Sequence, residues 1–402
     1  MINLGRVVLV AALAAAGLSA CAKAGVESRT IEVDYKADEF AGAFLNYFPR
    51  NVTVTPGMTL KFHQTWSGEP HTVTLGAAVN EGVEPFRKIV TEYHEDPHSI
   101  EDDTEFLDAN YPKFEERFPS FFAGDDVEAL NQSAALPCSL ARLDQLPTGV
   151  APCTQAQRQL KPFTGREAIY NSGFIPFEGV RGNSFDMKIA KDAKEGTYFY
   201  YCNLHSIFMS GEITIKKDAK VESQASMNRR GRAEVNAMRD PILSVYKKEL
   251  RGQGQYKGNL AGSGDDTTEF IHAGVLEFTP RTIITKAGDP VTWTFISDHT
   301  ISFNVPPYSP LFVFDKRGYL NVSRKLWEPA VWSGPPDRPL DNDHPPPPVS
   351  VDAGSWDGSG GLHSSGAGWN IGDTYTVRFT KPGTYPYACL IHPGMIGKVV
   401  VS

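Results

Sequence analysis

Two short stretches of this chain carry the same potential metal ligands in the same order. One reads Gly196-Thr197-Tyr198-Phe199-Tyr200-Tyr201-Cys202-Asn203-Leu204-His205, followed by Met209-Ser210-Gly211. The other reads Gly383-Thr384-Tyr385-Pro386-Tyr387-Ala388-Cys389-Leu390-Ile391-His392, followed by Met395-Ile396-Gly397. Well upstream of each lies a His-Thr pair, His71-Thr72 and His299-Thr300. A strand ending in Cys-x-x-His puts a thiolate and an imidazole on one tight loop, so both reach the same ion. An upstream His on a neighbouring strand would add a second imidazole and hold it rigidly. A thiolate with two imidazoles favours copper or zinc. The trailing Met tips the balance to copper, because a thioether is soft and serves as a long, weak axial ligand.

The elements that must position these residues repeat as well. Alternating Ile31, Val33 and Tyr35, then Val52-Thr53-Val54 and Leu60-Lys61-Phe62-His63, read as strands, with Pro56-Gly57 turning between the last two. The second half follows the same plan: Val275 to Phe278, Ile283 to Thr285, the turn Ala287-Gly288-Asp289-Pro290, and Val291 to Phe295. Each half closes on a short strand, Glu212 to Ile215 and Lys398 to Val401. This pattern is an internal duplication of an all-β unit.

Each half also carries a long insertion between the upstream His and the Cys. Residues 76–130 look helical in pieces, at 85–90 and 106–107, and hold fifteen Asp/Glu against four Lys/Arg, a net of −11. The second insertion is expected to be loop-like, with Pro345 to Pro348 and a Gly/Ser run from Gly354 to Gly368. Between the halves, 216–257 carries eleven Lys/Arg and five Asp/Glu, a net of +6, and predicts a helix from Ser226 to Leu250 that Pro241 breaks or kinks. The acidic insertion and the basic connector either face each other or form separate docking surfaces.

With 402 residues and a hydrophobic content of 41%, the chain is long enough for two or three domains with cores of their own. Arg6 and the apolar run Val7 to Gly17 form a targeting segment too short to span a membrane. Leu18-Ser19-Ala20-Cys21 resembles the lipobox of bacterial lipoproteins, which implies cleavage after residue 20 and a lipid on Cys21. The mature chain is then exported and membrane-tethered, facing the periplasm or the cell exterior. Cys138 and Cys153 remain, close in sequence and among prolines; an oxidising compartment permits a disulfide there, the alternative being two free thiols.

On these cassettes the chain resembles two cupredoxins in tandem, of the plastocyanin or amicyanin type. The resemblance covers about 29–75 with 166–217, and 263–304 with 370–402. It implies two Greek-key β-sandwich domains, 29–217 with an insertion at about 76–165, and 263–402 with an insertion at about 305–369. A signal peptide (1–20) and a tether (21–28) precede them, and a partly helical connector (218–262) joins them. It further implies two type 1 (blue) sites cycling between Cu(I) and Cu(II): His71, Cys202, His205 and Met209 at one, His299, Cys389, His392 and Met395 at the other. The first His-to-Met spacing is one residue longer, closer to plastocyanin, and the second, with His392-Pro393-Gly394-Met395, is closer to amicyanin. Many cupredoxins place Asn after the upstream His; here Thr72 and Thr300 stand there, with hydroxyls able to bond backbone or sulfur.

The function implied is electron transfer outside the cytoplasm, without substrate turnover. The partner is a redox protein, such as a basic cytochrome steered by the acidic insertion, or another copper protein. Two-domain cupredoxins also include nitrite reductases and laccases, whose second copper type draws on His-Cys and His-x-His pairs. Tyr201 and Ala388 precede the two cysteines here, and no His-x-His occurs, so an enzyme would need scattered residues such as His63 or His344. Copper storage or delivery fits the ligand types, although the seven Met are not clustered. His63, His94, His98, His272, His344 and His363 default to surface or structural roles, and Tyr198, Tyr200, Tyr385 and Tyr387 to the core beside the ligand strand. A net charge of −8 and export speak against nucleic acid.

Overall fold

The computed structural model describes residues 27–64, 70–96, 99, 103–119, 122–123, 126–175, 183–264, 273–306, 312–323, 348–368, 371–392 and 394–402, with side chains at 122–123 and 126–129 left out. The targeting segment, Cys21, His98, His272 and His344 lie outside the described residues.

The chain is all-β in its core. In the first half one sheet runs in the order Ser184–Lys188, Thr59–Gln64, Ser28–Val33, Tyr47–Phe48. The other runs Asn51–Val54, Ser206–Ile215, Gly196–Cys202, Thr74–Leu75, Ile169–Asn171, Cys138–Leu140. Inward-facing Ile31, Val33, Leu60, Phe62, Val73, Leu75, Tyr200 and Ile213 fill the space between them, as period-two alternation requires.

The second half repeats this pairing strand for strand. Asn259–Ser263 runs parallel to Pro290–Phe295, as Ser28–Val33 does to Thr59–Gln64. Thr282–Thr285 runs parallel to Ile396–Val401, as Asn51–Val54 does to the end of Ser206–Ile215. Gly383–Ala388 lies antiparallel to Ile396–Val401 on one side and to Ser302–Phe303 on the other, as Gly196–Cys202 lies between Ser206–Ile215 and Thr74–Leu75. Trp293, Phe295, Phe303, Tyr375, Phe379 and Tyr387 make its core.

The first insertion is helical as expected, over Ala77–Val83, Arg87–Glu95 and Thr104–Arg117. Its apolar residues Val79, Val83, Phe86, Val90, Phe114 and Phe118 cover the outer face of the ligand-bearing sheet through Phe199, Tyr201 and Ile207. Cys138 and Cys153 are joined as a disulfide at the edge of this cluster.

The second insertion differs from the loop expected. It holds the strand Ser350–Trp356, paired parallel to Thr374–Phe379, and Phe312–Phe314 paired with Leu320–Val322. Val351 and Ala353 alternate with exposed Ser350 and Asp352, and a register shift between Asp352 and Ser355 breaks the phase before Trp356.

The connector helix runs Gln224–Leu250, capped by Ser223, and passes through Pro241 without a break. Packing of its apolar face (Val235, Ile242, Tyr246) against Phe40, Phe44 and Val275 outweighs the lost backbone bond. Its ends grip equivalent strands. The Gln224 side chain bonds Thr30 N and O at 2.7 and 2.9 Å, while Glu249 accepts from the Ser263 hydroxyl and from Gly264 N at 3.2 Å. Among the described residues, the connector's ion pairs run to Glu222, Glu234, Glu39 and Asp240 rather than to the acidic insertion. The halves are further laced by Gly42–Phe44, which adds to the second half's sheet beside Ala273–Val275, and by Gln132, which bonds both N and O of Leu320 at 2.8 Å. No helix among the described residues is long and apolar enough to cross a membrane.

Candidate metal centres

His71 follows the strand Thr59–Gln64 and faces Ile175 through a single bridge; Cys202 ends the strand Gly196–Cys202, and His205 sits on the turn after it. The Nδ1 atoms of His71 and His205 are 3.2 Å apart, and the Cys202 sulfur is 3.9 Å from His71 Nδ1. In the second half the Nδ1 atoms of His299 and His392 are 3.0 Å apart, with the Cys389 sulfur 3.9 and 3.6 Å from them. Nitrogens about 2.0 Å and a sulfur about 2.3 Å from one small ion would be separated by roughly 3–4 Å. Both trios fit that spacing. They are the groups of three among the described residues whose ligand atoms so converge.

The sulfurs are held identically. Cys202 Sγ accepts from Thr72 N, and Cys389 Sγ from Thr300 N, each at 3.4 Å. The Thr72 hydroxyl accepts from Asn203 N and the Thr300 hydroxyl from Leu390 N, each at 2.8 Å. The threonines thus tie the upstream His segment to the Cys loop. Burial pushes both thiols up, but the imidazoles outweigh it: His205 and His71 hold Cys202 well below its ordinary value, and His392 holds Cys389 down. A thiol poised to ionise is what a metal needs as a ligand.

Met209 is fully buried in the same cluster as Cys202, and Met395 in that of Cys389. Met395 also closes its loop, donating to His392 O at 2.9 Å and accepting from Cys389 N at 3.0 Å.

Two supports were not visible in the motifs. Ser172 and Ser365 each accept from the residue two after the upstream His, Val73 N at 2.8 Å and Ile301 N at 2.9 Å, and each donates to the next carbonyl. Beyond the imidazoles, His71 Nε2 meets Asp34 Oδ2 at 3.0 Å, whereas His299 Nε2 meets Ser297 Oγ at 2.7 Å. Burial opposes a charge on His71, but Asp34 and Cys202 outweigh it and raise its value.

The surroundings differ. The first insertion's helix Thr104–Arg117 stands beside His205, and Tyr111, Phe114, Glu115, Phe118, Tyr201 and His205 line a pocket of about 340 Å³ there. At the second centre, Lys36, Asp38, Phe40 and Gly42 of the first half share a shallow pocket with Arg281 and Gly394. Leu204, between Cys202 and His205, packs against the cores of both halves.

No protein-family model matches the chain. A 29-residue stretch, 7% of the chain, is 62% identical to amicyanin-alpha of Methylorubrum extorquens and spans 24% of that protein. Over 132 residues, 32% of the chain and 61% of the relative, it is 32% identical to the chloroplastic plastocyanin of Tetradesmus obliquus. The chain therefore spans about a quarter and about three fifths of these two relatives. The similarity is to cupredoxins. Among solved structures, a purple cupredoxin from Nitrosopumilus maritimus is 20% identical, covering 36% of this chain and 98% of its own, with a TM-score of 0.17. Amicyanin from Paracoccus versutus is 17% identical over 32% of this chain and 74% of its own, with a TM-score of 0.14.

The remaining sequence expectations resolve locally. His63 is engaged by Glu32 at 2.8 Å and Asn183 at 3.2 Å, His94 by Ser210 at 3.2 Å, and His363 stacks on Trp356. Tyr198, Tyr200 and Tyr387 are buried in the cores; Tyr385 is half-buried against Phe379.

Proposed function

We propose that the chain is a copper-binding electron-transfer protein with two type 1 centres in tandem cupredoxin domains. His71, Cys202, His205 and Met209 would hold one ion, and His299, Cys389, His392 and Met395 the other. The observation that carries this reading is the repeated convergence of two imidazole nitrogens and one buried thiol. Copper bound there supplies one-electron chemistry between Cu(I) and Cu(II).

The chain's own residues supply rigidity and exclusion. The threonine amides and hydroxyls fix each sulfur before any metal arrives, so little rearrangement accompanies a change of charge. The aromatic cores and the helical insertion keep bulk water from the thiols. We further propose domains at 29–217 and 263–402, export after cleavage at residue 20, a lipid anchor at Cys21, and a redox protein as partner, a basic cytochrome or another copper protein.

The test uses the chain without residues 1–21, loaded with Cu(II). Two coppers per chain are expected, with an intense thiolate charge-transfer absorption, and Cys202→Ser and Cys389→Ser should each remove one centre. Absence of that absorption overturns the reading. An additional copper signal that survives both substitutions would instead favour an oxidoreductase.

A further inference from the structure

The duplicated fold permits a residue-by-residue alignment of the two halves. Gly57 and Gly288 both turn at φ 90° before the strands Thr59–Gln64 and Pro290–Phe295, which puts Gln64 level with Phe295. The parallel neighbours then fall into phase, Val33 opposite Gln64 and Ala261 opposite Phe295. Asp34 and Gly262 therefore occupy the same place in the two halves. Both lie in the left-handed region, at φ 59° and 90°. Glycine adopts that conformation freely, while a side chain there carries a cost that Asp tolerates better than most.

What each residue does there differs. Asp34 is fully buried, and its Oδ1 accepts from Tyr35 N at 2.5 Å and Phe44 N at 2.8 Å. Its Oδ2 faces His71 Nε2 at 3.0 Å. Two backbone N–H donors and the far nitrogen of the His71 ring thus converge on one carboxylate, which suits an acceptor-only anion. Gly262 has no side chain, and a Cβ there would fall 2.7 Å from His299 Nε2. The hydroxyl of Ser297 takes that nitrogen instead, at 2.7 Å.

We infer that Asp34 is a positioning residue that makes the first centre the lower-potential member of the pair, so that an electron shared between the centres rests on the second. The inference rests on the electron-transfer reading above. A carboxylate bonded to the far nitrogen of a ligating His fixes its tautomer and raises its basicity as a ligand. A full negative charge in a low-dielectric interior also favours the more positive oxidation state far more than a hydroxyl dipole does. The step is one electron lost at the first centre and one gained at the second. No bond is made or broken, and the Nε2 proton stays on His71.

The experiment reads each centre alone, the first in Cys389→Ser and the second in Cys202→Ser, by following the charge-transfer absorption against redox mediators. The first centre should be reduced at least tenfold less than the second at the same poise, about 59 mV for one electron. Asp34→Asn keeps the shape, an acceptor and tolerance of positive φ while removing the charge. It should shift the first centre's Cu(I)/Cu(II) ratio at least tenfold toward Cu(I) and leave the second unmoved. Asp34→Gly, which reproduces the second half, should shift it in the same direction.

Equal or reversed potentials, or a shift below twofold in Asp34→Asn, would overturn the inference while the absorption itself still upheld the electron-transfer reading. Loss of the absorption in the unmutated chain would sink that reading instead. Nitrogen NMR of the metal-free protein then decides the role of Asp34. Its His71 Nε2–H should be protected in the unmutated chain and exchange freely in Asp34→Gly; protection in both would remove Asp34 from any such role.

Discussion

At the first centre Cys202 Sγ accepts the Thr72 amide at 3.4 Å and the Thr72 hydroxyl accepts Asn203 N at 2.8 Å; at the second, Thr300, Cys389 and Leu390 reproduce both distances. On the far side of the upstream imidazole the two part company, Asp34 against Ser297. Coverage differs too, with a helix and its aromatic residues beside His205 and a short segment of the other half beside Gly394. The amide contact to the sulfur and the serine support of the upstream His segment are therefore common to both copies, while the partner on the far side of the upstream imidazole has diverged. The inner ring answers to the chemistry of a thiolate ligand, which tolerates few arrangements. The outer ring can change and still leave a working site, so that is where two copies of one plan can acquire different properties.

Breaking this comparison most severely should be Gly262→Ala. The added Cβ would lie 2.7 Å from His299 Nε2 and 3.3 Å from Ser297 Oγ, on a backbone at φ 90°. The left-handed conformation costs about 1–2 kcal/mol and the overpacking about 1–3 kcal/mol, so a loss of about 2–5 kcal/mol is expected. His299 should also be pushed off its position. Urea unfolding of the metal-free chain checks the first expectation, and copper stoichiometry the second, with one ion retained at the first centre. Retention of both ions with unchanged stability would show that the second half has slack there.

The candidate ligands are legible because three of each set lie within eight residues, at spacings that one tight loop allows. The strands were legible where apolar residues alternate, as in Leu60-Lys61-Phe62-His63, observed as Thr59–Gln64. Asp34 was not legible. It lies 37 residues from His71 and belongs to no motif, and only the register of two parallel strand pairs puts it level with Gly262. Gly42–Phe44 was missed because three residues carry no periodicity and its partner strand lies some 230 residues on. Ser350–Trp356 is obscured in the sequence because its alternation is short, lies between Pro345–Pro348 and the Gly/Ser run from Gly354, and is broken by a register shift between Asp352 and Ser355. The connector helix was legible in its extent, but its passage through Pro241 is set by tertiary packing that local propensity does not contain.

A smaller effect is expected from Thr72→Val and Thr300→Val, the second of which also loses the bond between the Thr300 and Ser302 hydroxyls at 2.9 Å. Each removes the acceptor for a buried amide, Asn203 N or Leu390 N, at nearly constant volume. An unsatisfied buried donor costs about 1–3 kcal/mol. Urea unfolding should show losses of that size in both variants, with Thr300→Val the larger because the buried Ser302 hydroxyl loses a partner as well. A loss in Thr300→Val smaller than that in Thr72→Val would mean that the shared inner ring is shared in geometry alone.

The smallest effect concerns the coverage of the first centre. Arg87, on an insertion helix, pairs with Glu84 at 2.6 Å and with Glu212 of the strand that carries Met209, and its guanidinium lies 6.0 Å from the Phe199 ring. Counting from the two methionines, Glu212 corresponds to Lys398, so the second half lacks the acidic half of this pair. Both partners are partly exposed, and such pairs contribute about 0–1 kcal/mol. Arg87→Ala should lower the melting temperature slightly at low salt, with most of the difference gone at high salt as screening removes the attraction. The second centre's absorption should not move. A loss that persisted at high salt would locate the grip of the insertion in the packing of the Arg87 stem against Phe199 rather than in the charge.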